Sequence, residues 1–112
     1  MRTGFGIGMA VVASALALAP VARAADPEFT LNIRDHRFEP AELQVPAGVK
    51  IRLIVKNLDA TPEEFESTAL HREKVVAPGQ QILVIVGPLD AGTYGFFGDF
   101  HQDTAQGKLI AK

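Results

Sequence analysis

The stretch VKIRLIVKN, residues 49–57, constrains the fold more than any other part of the chain: Val49, Ile51, Leu53 and Val55 alternate with Lys50, Arg52 and Lys56. Successive side chains of an extended chain point to opposite faces, so this pattern belongs to a strand with one buried and one solvated face. The same period recurs in EFTLNIR, where Phe29, Leu31 and Ile33 share a side. Shorter candidates follow around Leu43 and Val45, from Phe65 to Leu70, and in QILVIVG, TYGFF and KLIAK. Pro40, Pro46, Gly48 and the segments NLDATPEE, APGQ and PLDAG separate them as turns. No run carries a helical stripe. Seven or eight short strands divided by turns predict an all-β chain, folded as an antiparallel sandwich or Greek-key barrel. At 112 residues the chain holds one domain at most.

The first 24 residues read differently. Arg2 precedes an unbroken small and apolar run from Gly4 to Ala19, and Ala22-Arg23-Ala24 has the small-x-small form of a signal-peptidase site. The run is shorter than the roughly 20 residues that span a bilayer, and no stop-transfer pattern follows. The expectation is a signal peptide over residues 1–24, cleaved after Ala24, and a periplasmic domain over residues 25–112. Two arginines leave with the signal, so 9 Lys and Arg face 13 Asp and Glu, a formal charge near −4. Nucleic acid is not an expected partner, because such binding rests on clustered cations that release counterions. The chain contains no cysteine. Disulfides, thiolate ligands, cysteine nucleophiles and iron–sulfur clusters are therefore all excluded.

Three histidines and one acidic run carry the remaining chemistry. His101 lies between the last two strands, flanked by Asp99 and Asp103, and its neutral imidazole suits a borderline transition metal. His36 follows the first strand and can reach the same end of a sandwich. His71, in ALHREKVV, belongs to a solvated turn. In TPEEFES, if Phe65 faces the core, Glu63 and Ser67 share its side while Glu64 and Glu66 point away together toward water. Glu63 is then an inward acid at the mouth of the sandwich, where a bound cation would compensate an otherwise unpaired carboxylate. Hydrolase elbows, phosphate loops and zinc-protease helices have no counterpart.

Three segments together resemble the cupredoxin-like sandwiches: FEPAELQVPAG, VKNLDATPEEFES and GTYGFFGDFHQDTAQGKLIAK. The resemblance covers essentially all of residues 25–112 and implies an antiparallel Greek-key β-sandwich of seven to eight strands. It places His101 on the family's second histidine ligand, Glu63 where the first histidine belongs and Gly98 where the copper-binding cysteine belongs. Thr104 to Gln106 offer no axial methionine. A type 1 copper centre is therefore not implied, and loss of the thiolate is expected to open a cavity at Gly98 that admits water or a partner's ligand.

NLDATPEEFES combined with FFGDFH is similar to a branch of the family that accompanies iron-permease uptake systems. That resemblance implies periplasmic handling of iron or copper for a membrane-bound permease; the oxygen- and imidazole-rich donor set, without sulfur, suits Cu(II) or Fe, and a monomer or weak dimer is expected. Glu63 and His101 are the first candidate ligands, with Asp99, Glu66, Glu64 and His36 behind them. Phe96, Phe97 and Phe100 are expected to pack beside the site. A ferroxidase-like activity is one extension of this reading. The alternative is a metal-free β-sandwich interaction module whose acidic run faces a protein partner.

Overall fold

The computed structural model describes residues 25–112, together with residues 3, 4, 6, 8, 10 and 11. The signal peptide expected over residues 1–24, with its cleavage after Ala24, falls largely on residues outside those described. Among the described residues nine strands form two sheets: β1 (Glu28–Arg34), β2 (Arg37–Glu39), β3 (Glu42–Val45), β4 (Ile51–Asn57), β5 (Glu63–Ser67), β6 (Arg72–Val76), β7 (Gln81–Val86), β8 (Gly92–Gly98) and β9 (Gln106–Ala111). The sheet orders are β2-β1-β4-β7 and β3-β9-β8-β5-β6. One 3₁₀ turn, Asp99–His101, interrupts the connection from β8 to β9.

The alternation read from the sequence lies on the observed faces. Leu31, Ile33, Ile51, Leu53 and Val55 of the first sheet are fully buried against Phe65, Val76, Phe96 and Leu109 of the second. Phe38 closes one end of this core, edge-on to Phe96 at 4.9 Å and to Phe65 at 6.2 Å between ring centroids. Such aromatic contacts add about 0.5–1.5 kcal/mol to the burial of the rings themselves. Val49, assigned by its period to the buried face, instead precedes β4 and is exposed.

Two features escape the local pattern. The sheets are mixed: β1 runs parallel to β4 and β3 parallel to β9, while the other pairings are antiparallel. Parallel neighbours need a crossover, which a two-residue hairpin cannot supply and a face pattern does not record. The second feature is β6, a strand over REKVV with four of its five residues exposed. It forms the edge of its sheet, where charge is compatible with extended structure and discourages pairing with another chain. His71 lies in the turn before it, exposed and at φ 55°.

Candidate metal centre

His36 is placed by a two-residue turn between β1 and β2. Asp35 and His36 have φ of 51° and 56°, left-handed geometry that suits a tight hairpin and that Asp and His tolerate better than most residues. The carboxylate of Asp59 fixes this turn by accepting the amides of Asp35 at 2.8 Å and His36 at 3.0 Å. Asp59 is held in turn through its own amide, which donates to Asn57 Oδ1. The imidazole of His36 reaches Thr61 Oγ1 through Nε2 at 3.3 Å.

His101 arrives from the opposite sheet. Its carbonyl accepts the amides of Thr104 and Ala105, and Gly98 N–H donates to Ala105, so the loop after β8 is closed by its own backbone. The His101 ring stacks on His36, with centroids 3.5 Å apart and planes 12° from parallel. Thr104 Oγ1 ties the two loops together by donating to the His36 carbonyl at 2.6 Å.

Glu63 faces inward, as the phase of Phe65 predicts, and is 1% exposed. The expectation of an unpaired carboxylate does not survive. Oε1 accepts the amides of Phe100 at 2.9 Å and Glu64 at 3.0 Å, and Oε2 accepts His101 Nδ1–H at 2.5 Å. A buried acid is stable only when its lone pairs are met, and here protein groups meet them. The bond also selects a tautomer. With the proton on Nδ1, the lone pair of a neutral His101 sits on Nε2, on a side chain still 24% exposed.

Gly98 makes this arrangement possible. A Cβ at this position would lie 2.6 Å from Glu63 Cδ, 2.8 Å from Glu63 Oε1 and 2.7 Å from Ala105 Cβ. The expected cavity is therefore absent, because the Glu63 carboxyl group fills the space beside Gly98. Among the three phenylalanines, Phe96 is core and Phe97 half-buried, whereas Phe100 is exposed and contributes its backbone amide.

Glu64, Glu66 and Asp99 form a separate group on the other face of β5, each with a carboxylate oxygen within 4.8 Å of the others. The structure thus divides the six predicted residues: Glu63, His101 and His36 meet at one end, and the remaining three meet outside the sheet. Glu64, expected to see water, is only 9% exposed. Its carboxyl is pushed up to about 7 by a hydrogen bond shared with Glu73, then by burial and the charges of Glu73, Asp99 and Glu66. Burial, followed by the charges of Asp99 and Glu73, also raises Glu66.

The proton on Glu64 has a measurable consequence. The folded chain retains it to higher pH than the unfolded chain, whose carboxyl releases it near 4.5. Between about 4.5 and about 7 the unfolded state therefore binds fewer protons, and this residue makes stability fall as pH rises through that window. In the presence of chelator, thermal unfolding should show Glu64→Gln gaining on the wild type between pH 5 and pH 8. An equal difference at both pH values would reject this assignment.

Asp59, Thr61 and Glu73 were not singled out from sequence. Asp59 lies in the NLDATPEEFES segment, but only its contact with the β1–β2 turn reveals what it holds.

A family model described as the cupredoxin-like domain matches residues 7–111. The chain belongs to the cupredoxin-like family. An uncharacterized protein of Rickettsia prowazekii (strain Madrid E) is 55% identical over 83 residues, covering 74% of this chain and 66% of the relative. The chain thus spans just under two thirds of that relative's length. Among solved structures, auracyanin A, a "blue" copper protein of Chloroflexus aurantiacus, matches at TM-score 0.66 and 16% identity over 77% of this chain and 99% of its own. The metal-binding domain of a Cu(I)-exporting P-type ATPase of Streptococcus pneumoniae D39, with Cu(I), matches at 0.64 and 11% over 76% and 84%. At these identities the likeness establishes the cupredoxin fold and leaves the ligands to the residues themselves. Those residues do not fit type 1 copper. There is no thiolate, the two methionines are Met1 and Met9, and the Glu63 carboxyl lies against Gly98. An imidazole pair backed by a carboxylate fits a borderline ion such as Cu(II) or iron.

Proposed function

We propose that this cupredoxin-like protein is a periplasmic metal handler that takes Cu(II) or iron on the imidazole end and passes it to a membrane-bound permease. The Glu63–His101 hydrogen bond carries the reading. A carboxylate bonded to one ring nitrogen raises the basicity of the other and fixes the ring, an arrangement that accompanies metal-ligating histidines generally. Glu63 then orients His101 instead of ligating the ion, because both of its oxygens are already engaged. His101 Nε2 is the leading donor, and His36 supplies a second imidazole once the stacked rings fan apart. A bound ion would contribute Lewis-acid or one-electron chemistry, and ferroxidase-like activity would use the latter. The chain contributes the fixed tautomer and the adjoining ring. Export through residues 1–24 and delivery to an iron or copper permease belong to the same proposal.

Calorimetric titration with Cu(II), Fe(II), Fe(III) and Zn(II) tests it, with thermal unfolding as a second readout. A binder gains about 2.7 kcal/mol at a ligand concentration one hundred times its dissociation constant. His101→Ala should abolish that gain for the ion that binds. The second reading is a metal-free interaction module, in which the acidic outer face meets a protein partner instead of an ion. No heat and no shift in unfolding with any of the four ions would reject the metal reading and leave the module.

A further inference from the structure

Glu64 is the buried acid that the imidazole end does not use. Neighbouring residues of a strand point to opposite faces, so Glu64 leaves the sheet on the side away from Glu63. It is only 9% exposed, and its Oε1 is buried without a hydrogen-bond partner. Glu66 emerges on the same face two residues later, and Asp99 approaches from the 3₁₀ turn. Glu73 stands opposite Glu66 in the β5–β6 register and adds a fourth acid. Among the described residues none of these carboxylates takes part in an ion pair. Gln102 Nε2 donates to Asp99 Oδ1 at 2.7 Å, which satisfies one oxygen of the group.

A solvated acidic edge would keep its oxygens in water. Here an oxygen is withdrawn from water and given no donor, next to two further acids. A cation resolves both the missing partner and the mutual repulsion. The spacing agrees: oxygens about 2.3–2.6 Å from a common ion lie no more than about 5 Å apart, and these lie within 4.8 Å of one another. We propose that Glu64, Glu66 and Asp99 form a second cation site on the outer face of β5, selective for hard, oxygen-preferring ions of the Mn²⁺ and Ca²⁺ class. The donor set holds neither nitrogen nor sulfur, so it disfavours the softer ions that imidazole attracts. Three carboxylates leave the remaining coordination positions to water.

The site is independent of the imidazole end in its ligands, and the experiment separates the two. Mn²⁺ binding to the full chain is followed by electron paramagnetic resonance, with Ca²⁺ as competitor, in the wild type, Glu64→Gln, Asp99→Asn and the double variant His36→Ala/His101→Ala. The expected result is one Mn²⁺ per chain, displaced by Ca²⁺. Affinity should fall at least tenfold in Glu64→Gln and in Asp99→Asn, and change less than twofold in the histidine variant. Asp99→Asn alters a half-buried residue of the 3₁₀ turn, so it still reports if Glu64→Gln perturbs the strand. Absence of Mn²⁺ binding at millimolar concentration, or binding that survives both acid substitutions, would overturn the proposal. So would binding lost only with the histidines.

Discussion

Gly98→Ala should destabilise the domain by about 3 kcal/mol, a fall in Tm of roughly 12–24 °C. The added Cβ would enter space held by Glu63 Cδ at 2.6 Å, Glu63 Oε1 at 2.8 Å and Ala105 Cβ at 2.7 Å. Overpacking alone costs about 1–3 kcal/mol. The larger penalty comes from moving Glu63, whose carboxylate is bonded to two amides and one imidazole at 1% exposure. Each buried polar group left without a partner costs about a further 1–3 kcal/mol. Most of the clash is with one side chain, so the effect should be strongly non-additive. In a Glu63→Ala background, Gly98→Ala should cost at least about 1 kcal/mol less than in the wild type. Denaturant unfolding of the four proteins measures this coupling. A neutral Gly98→Ala, or costs that simply add, would mean that Glu63 does not occupy the space beside Gly98.

Glu63→Gln should separate stability from metal affinity. Two backbone amides donate to Oε1, so a glutamine keeps its carbonyl oxygen there and turns its NH₂ toward His101 Nδ1. An NH₂ group only donates, so Nδ1 must become the acceptor and the ring proton moves to Nε2. The lone pair that faces outward in the wild type is then lost. Affinity for the ion bound at the imidazole end should fall by about 10–100-fold, the usual effect of removing such a supporting contact. The cost in stability should remain modest, because both amides keep their acceptor. Calorimetry gives the affinity, and the ¹⁵N shifts of the His101 ring show the tautomer directly. Unchanged affinity together with an Nε2-protonated ring would disprove the role assigned to that nitrogen. A Glu63→Ala protein does not offer this separation, since it leaves the Phe100 and Glu64 amides without an acceptor.

The candidate centre was only partly legible in the residues. The inward direction of Glu63 follows from its two-residue spacing to Phe65, and the structure agrees. Its partners do not follow, because the amide of Phe100 and the ring of His101 come from a loop after β8 that no local pattern brings to β5. Gly98 illustrates the same limit. Read alone it is a missing thiolate and an empty place, whereas in the fold it is room made for another side chain. Glu64 was assigned to water by its alternation with Glu63. Alternation sorts residues between two faces but says nothing of what surrounds the outer one, and here Glu73 of β6 and Asp99 of the 3₁₀ turn crowd Glu64. The strand β6 was itself obscured, since REKVV has the composition of a solvated turn and only its place at a sheet edge makes it extended.

The sequence by itself determined which residues share a face of each long strand, that the chain is all β, and that no thiolate can reach a metal. These are properties of covalent order: side chains alternate along an extended backbone, and a residue type absent from the chain is absent from every fold of it. The tertiary structure decided that β1 and β4 run parallel, that the rings of His36 and His101 stack, and that Asp99 joins Glu64 and Glu66 outside the sheet. Those outcomes depend on which distant segments pack together. Packing is chosen by the summed burial of both sheets, a quantity that no short stretch of the chain contains.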